Sequence, residues 1–475
     1  MPAPPTDDLL QIDVHGGHMA RAAAASARAA AEDLGFAPGD AARAEAVARH
    51  LGEAVAARDF DLPADARFTL SIGDSPAALT LRVADHGLPG SLGAEVGGAL
   101  TRSLLAAGAD TVRVASDGDG NTVAAEVARD PSQLAHLVDE ETPTEESPDL
   151  PAPRFARLER RHLDSLARCT WRVYGHSYVA RFLYHPEETW KMVEAGRLHS
   201  IVALDADDEV VGHVGIELER AGAAVGDATL ALVDPRYRGH HVLRGTQAVR
   251  RQVMDALDLV GTLAEAVTPH TITQRTRVES GATETGILLG FIPATMTYRG
   301  FSAAVQGSSR QSAVLSYAPL RPGPARTVHP PAPYRDLVLD GYARMGLDRT
   351  EGTPRAGTGA TRLDVATDGP RSLATIEVAT VGADAAHVVD LRRRELCAAG
   401  TEVVHAELPL DDPGTPAAVE VLRDRGFRYA GFVPDLRDAD VLRLQYLDVD
   451  VDTGIIQLYT DEARDLLAFT LADEA

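Results

Sequence analysis

With 475 residues the chain is long enough for roughly two to four domains, and at 45% apolar residues it can fill a core in each. Its 70 acidic against 46 basic side chains, a formal charge of -24, argue against a nucleic-acid partner, whose phosphates need clustered cations, and suit a neutral or cationic small substrate. Two cysteines, Cys169 and Cys397, exclude a disulfide framework and a cysteine-rich metal cluster. Along the chain, two proline-rich crossings at 131–153 and 319–334 divide three blocks: 9–130, 154–318 and 335–475. Together they predict an α/β (α+β) protein.

The first block predicts a strand, helices near 18–34 and 40–58, strands at 67–72 and 77–84, a Gly-rich stretch, a helix near 94–107, and strands at 110–116 and 121–128. The last pair is joined by Ser116-Asp-Gly-Asp-Gly-Asn121, a hairpin signal. With Asp85-His-Gly87-Leu-Pro-Gly90 and Gly97-Gly98, this order resembles the two-layer ATP-binding domain of anti-sigma-factor kinases and histidine kinases. That family sets a Glu and an Asn four apart on a helix to handle water and magnesium. Glu53 is present here, but Ala57 replaces the Asn, and a methyl group offers magnesium no oxygen. ATP at Glu53, Asp85 and Gly87 is therefore expected without kinase or ATPase chemistry, if at all. A degenerate pocket, or a domain that binds a protein partner, fits the losses better. Any two-layer α/β domain with turn glycines would give a similar order.

The second block begins with a strand at 155–160 and a helix ending Trp171-Arg-Val-Tyr174-Gly-His176-Ser-Tyr178. A hairpin follows, Leu198–Leu204 and Glu209–Leu218 about Ala206-Asp-Asp-Glu. The strand from Gly226 runs into Leu232-Val-Asp-Pro-Arg-Tyr-Arg-Gly-His-His-Val-Leu243, and then a helix over 242–257 with Val249, Val253 and Leu257 at four-residue spacing. A strand thus ends, a basic glycine loop turns, and a helix begins. The first amides of a helix lack partners and carry the positive end of its dipole, so such a loop suits a phosphorylated ligand. A strand at 262–268, a helical stretch within 270–288, and strands at 291–298 and 311–317 complete the block.

This block resembles the GNAT acyltransferases. The family's coenzyme A loop reads Arg or Gln, two residues, Gly, one residue, Gly or Ala, often after Val-x-Pro. Arg236, Gly239, Val233 and Pro235 match, while His241 stands where Gly or Ala is usual. Leu289-Gly290-Phe291 matches the Leu-Gly-Phe step that the family places between its last helix and the next strand. The resemblance implies acetyl-CoA or another acyl-CoA on the amides of Arg238, Gly239, His240, His241 and Val242, with its pantetheine arm along Leu232 and Val233. It implies attack of a small-molecule amine on the thioester. Asp227 and Glu265 are candidate bases. The family's Tyr donor, four before the Gly of that step, falls on Gly286, leaving His270 as a candidate acid, with Gln274 in the same region and Tyr174 and Tyr298 as residues that could reach the site from elsewhere in the block. No metal site is expected, because His240 and His241 diverge and have no third ligand.

The third block reads as a worn second copy: strand 372–379, helix 382–398, strand 401–407, a helix from Asp412 to Leu422, Arg425-Gly426-Phe427, a strand at 440–447 and a last helix from Asp461. It lacks the Arg-x-x-Gly loop, so it would wall a pocket and bind no coenzyme A. Two other readings stay open. One is a non-catalytic sensor of nucleotide or acyl-CoA that binds a partner; the other is a GNAT-fold acyl-CoA hydrolase or decarboxylase. The start Met1-Pro-Ala-Pro-Pro lacks a secretory leader, and no stretch reaches about 18 apolar residues, so a cytoplasmic protein without a membrane span is expected. Lys191 is the only lysine beside so many arginines, the composition of a GC-rich bacterial gene.

Overall fold

The computed structural model describes residues 8–15, 19–56, 67–74, 78–85, 101–116, 121–128, 150–175, 177–294, 296, 309–369 and 371–473. The chain divides into two compact units. One comprises Met1–Gln133, Gly357–Leu408 and Tyr446–Val449; the other comprises Leu134–Ala356, Pro409–Gln445 and Asp450–Ala475.

The first unit opens with strands β1 (Asp8–His15), β2 (Arg67–Asp74), β3 (Ala78–Asp85), β4 (Thr111–Ser116) and β5 (Asn121–Ala128). They pair antiparallel in the order β1-β2-β3-β5-β4. Helix Ala20–Asp33 buries Ala20, Ala23, Ala24, Ala27 and Ala31, a stripe at three- and four-residue spacing. Those small side chains pack with helix Pro38–Ala56 over Leu70, Ile72, Leu79, Leu81, Val123 and Val127, the alternate residues of three strands. Arg43 fastens helix to sheet, donating to Gly108 O at 2.9 Å, Asp110 at 3.0 Å and Ala128 O at 2.6 Å.

The second unit holds a seven-stranded sheet of β6 (Arg154–Arg157), β7 (Leu198–Leu204), β8 (Val210–Glu217), β9 (Val225–Val233), β10 (Gly261–Val267), β11 (Thr283–Ile292) and β12 (Gln311–Pro319). Their order is β11-β12-β10-β9-β8-β7-β6. Every neighbouring pair is antiparallel except β9 and β10, whose parallel pairing requires the crossover helices Val242–Gly245 and Gln247–Ala256. Helices lie against the sheet, and β7 and β8 are buried almost continuously, as strands covered on both faces must be. A short parallel pair, β13 (Arg326–Val328) and β14 (Arg349–Glu351), flanks helix Arg335–Met345.

The Leu289-Gly290-Phe291 step does not join a helix to a strand; it lies inside β11, which begins at Thr283 and not near 291. The helix before it, Ile272–Glu279, ends at a turn through Gly281 (φ +85°). Gly286 is glycine for another reason: a Cβ there would run into the Ala430 carbonyl. Nearby, the Gln445 amide accepts from Leu289 N at 2.8 Å and donates to Ile287 O and Tyr429 O, each at 2.9 Å.

The stretch 335–475 is shared between the units. Strands β15 (Arg362–Asp368), β16 (Leu373–Thr380) and β17 (Val403–Pro409) lie with the first, β15 antiparallel to β4 and β16 parallel to β17. The hairpin of β18 (Arg428–Val433) and β19 (Val441–Leu447) pairs within the second, as far as Gln445. Among the described residues, no helix is long and apolar enough to cross a membrane.

Candidate active site

The loop after β9 is built around a buried carboxylate. Asp234 is fully buried and caps the turn Pro235–Tyr237, accepting from the Arg236 amide at 3.0 Å. Arg172 Nε donates to it at 2.7 Å, and Arg236 donates twice, from Nε at 3.0 Å and Nη2 at 2.9 Å. Burial pushes the Asp234 pKa up, but the Arg236 hydrogen bonds and the Arg172 charge outweigh it and hold the carboxyl below its usual range. The Asp234 amide donates to Val211 O at 3.0 Å, and Tyr237 tucks in with Ala203, Val211 and Val242. Gly212 has no side chain to collide with Val242, so the start of the helix seats directly on β8. Arg236, which matches the first position of the coenzyme A loop pattern and is a candidate cofactor-binding residue on that resemblance, turns its guanidinium back onto Asp234.

Beyond Arg238 the backbone takes two left-handed residues, Gly239 (φ +81°) and His241 (φ +55°), both exposed. A left-handed position is where Gly is least strained, so His241 occupies a place that favours glycine. The backbone is then helical from Val242 through Thr246 (φ -69°, ψ -14°) to Ala256. The first helical bond is Gly245 N to His241 O at 3.0 Å, so the amides of Val242, Leu243 and Arg244 precede it. His240 lies against Tyr237, ring centroids 5.8 Å apart.

Below the loop the sheet opens. The parallel strands β9 and β10 pair at only three positions, ending at Asp227 and Leu263. Past that point β9 bulges at Leu230, a left-handed leucine (φ +56°), where the register against β8 slips. His213 on β8 pins the bulge: its Nδ1 lies 2.9 Å from Leu230 O and its Nε2 3.0 Å from Ser200 Oγ. The carbonyl can only accept, so Nδ1 carries the proton and Nε2 accepts from Ser200. Burial pulls the His213 pKa down to about 4. Leu232 stands opposite His213, and Val233 opposite Gly212. Tyr174, stacked on Tyr178 at 4.0 Å, points its hydroxyl at Ala231 O, 3.4 Å away.

At the closed end of this wedge, Asp227 is level with Leu263, and Glu265 lies two residues on. Strand alternation puts the two carboxylates on one face of adjacent strands. Glu265 is 3.4 Å from Arg443 Nη1. His270 follows β10; burial lowers its pKa, and the Arg238 charge adds to the effect. Gln274 is committed elsewhere, donating to Val267 O, His270 O and Gln457 O and accepting from Tyr459 N. Gly281 and not Gly290 follows the last helix, which carries Arg277, a residue the sequence does not single out. Nor does it single out Arg172, Asp234 or His213, although Asp234 sits inside the motif.

In the first unit Glu53 is exposed on helix Pro38–Ala56. Asp85 ends β3. The Asp85 side chain, Ala57, Gly87, Gly90, Gly97 and Gly98 lie outside the described residues, as do His176 and Tyr298.

No protein-family model matches this sequence, and no curated protein does. Among solved structures, the spermidine/spermine N-acetyltransferase of Vibrio cholerae in complex with manganese ions is 16% identical, with a TM-score of 0.28 over 35% of this chain and 92% of its own. The ribosomal-protein-S18-alanine N-acetyltransferase of Escherichia coli is 15% identical, with a TM-score of 0.27 over 36% and 96%. Scores this low carry no function across.

Proposed function

We propose that this chain is an acyl-CoA-dependent N-acyltransferase that acts on the amine of a small molecule. The observation that carries the reading is the wedge: two parallel strands part after three residue pairs, under a loop of left-handed residues that leads into a helix. A parted strand edge has free main-chain groups for an extended amide-bearing arm. The loop amides of Gly239, His241 and Val242, at the start of a helix, suit a pyrophosphate, while those of Arg238 and His240 already donate to Pro235 O at 3.4 Å and Tyr237 O at 3.2 Å. Acyl-CoA has both parts and supplies an activated acyl group as a thioester.

The residues divide the work by place. Leu232 and Val233 hold the arm by their main chain, and Arg238 adds charge beside the phosphates. Asp227 takes the ammonium proton, directly or through one water, with Glu265 as the second candidate. His270, kept neutral by burial, suits a base better than the acid expected of it. Tyr174, whose hydroxyl lies on the parted edge, is the better donor for the departing thiolate.

Titration of the full chain with acetyl-CoA and longer acyl-CoAs by calorimetry tests the reading, with micromolar binding expected. Gly239→Glu should abolish it, since it puts a charge and a strained left-handed side chain where the phosphates would lie. Unchanged affinity in that variant removes the loop from the site. Asp227→Asn is expected to lower kcat at least a hundredfold with KM for acyl-CoA within about threefold. An unchanged kcat passes the proton to Glu265 or to solvent.

A further inference from the structure

Two arginines in the second unit are buried without a carboxylate partner. Arg250, on helix Gln247–Ala256, is 8% exposed, and Arg277, on helix Ile272–Glu279, is 6% exposed. Arg277 donates only to neutral oxygens: Nε to Ser316 Oγ at 3.4 Å, Nη1 to Thr262 Oγ1 at 3.3 Å and Nη2 to Thr262 O at 2.9 Å. That uses three of its five N–H donors. Among the described residues Arg250 has no side-chain hydrogen bond or ion pair. The helices touch where Gln247 Nε2 lies 3.4 Å from Ser280 Oγ. Arg250 is three residues on from Gln247 and Arg277 three back from Ser280, so each lies on the contacting side of its helix. Burial, then the Arg250 charge, pull the Arg277 pKa down to about 10, while Asp227 and Glu265 oppose this without bonding to it.

A guanidinium does not shed its charge in a protein, so two of them buried together call for an anion. Arg277 fixes where: Thr262, which it holds, pairs with Gly226 one step before the strands part. From Asp227 to the loop at Asp234 is seven residues, roughly 20 Å of strand. A pyrophosphate at the loop cannot also reach Arg277, but the far end of a donor lying along the wedge can.

We infer that Arg250 and Arg277 form a carboxylate site, and that the acyl donor is the coenzyme A thioester of a dicarboxylic acid, such as succinyl-CoA or glutaryl-CoA. The inference rests on the acyltransferase reading and deepens it. Arg277 binds the terminal carboxylate with its two remaining N–H groups, and Arg250 completes the charge.

Calorimetry on the full chain with butyryl-CoA, succinyl-CoA and glutaryl-CoA tests it, because butyryl-CoA has the four-carbon chain of succinyl-CoA without the carboxylate. The dicarboxylic donor should bind at least tenfold more tightly. Arg250→Gln should erase that preference and leave butyryl-CoA affinity within twofold. Having no partner to lose, it should fold at least as well as the parent, so it stands if Arg277→Gln does not fold. Equal binding of butyryl-CoA and succinyl-CoA, or a preference that survives Arg250→Gln, overturns the inference alone. Failure of every acyl-CoA to bind overturns the acyltransferase reading and this inference with it.

Discussion

Asp234→Ala is expected to destabilise the second unit by about 3–5 kcal/mol, the range for removing one partner of a buried ion pair. The carboxylate has no exposed surface, and the Arg172 side chain is 5% exposed. Removing the acid leaves the Arg172 cation in the core with its strongest partner gone. Arg236 suffers less, since its head can turn to water. The Cys169 thiol close by, pushed up to about 12 chiefly by burial, stays protonated and gives no replacement charge. Urea unfolding reads the loss. The control is Arg172→Met in the Asp234→Ala background, which should regain more than about 1 kcal/mol because the stranded charge has gone. A single variant that loses under about 1 kcal/mol, or a double variant that is merely additive, shows that the clamp does not hold the loop. The same clamp gives an acid limit. The folded pKa of Asp234 lies below the unfolded one, so its contribution is complete above the usual carboxylate range and fades as pH falls through the folded value.

Much of the second unit was legible because its strands obey local rules. Ile201–Leu204 is an unbroken apolar run, and the Asp-Pro-Arg-Tyr-Arg-Gly loop is punctuated by the residues that turns require. What escaped depends on partners far away in sequence. Gly286 and Gly290 read as a helix-to-strand junction, yet Gly286 is set by close approach of the Ala430 backbone, 144 positions on. Arg172 and Asp234 are 62 residues apart, so the clamp has no local signature. Arg277 carries no signal of its own, because nothing within Ile272–Glu279 says that its head reaches β10. The bulge was equally silent: Leu230 is not a residue that advertises a left-handed backbone.

His213 turns that silent bulge into a measurable quantity. A leucine at φ +56° is held at a cost of roughly 1–2 kcal/mol, and the bond from His213 Nδ1 to Leu230 O offsets it. The ring works only when neutral, since protonation at Nε2 replaces an acceptor facing Ser200 with a donor. With a folded pKa of about 4 against about 6.5 unfolded, the unfolded chain binds more protons between those values. Stability is therefore complete above pH 6.5 and falls as pH drops toward 4, by about 2 kcal/mol at pH 5 and about 3 kcal/mol at pH 4. His213→Gln should start less stable at pH 7 and lack this part of the slope. Urea unfolding of both proteins from pH 7 to pH 5 separates the term from other titrating groups, which the two share. Parallel slopes would mean that His213 already carries its proton or never loses its solvent. The bulge lies on the stretch of β9 that has parted from β10, so acyl-CoA affinity should weaken over the same pH range in the parent and not in the variant.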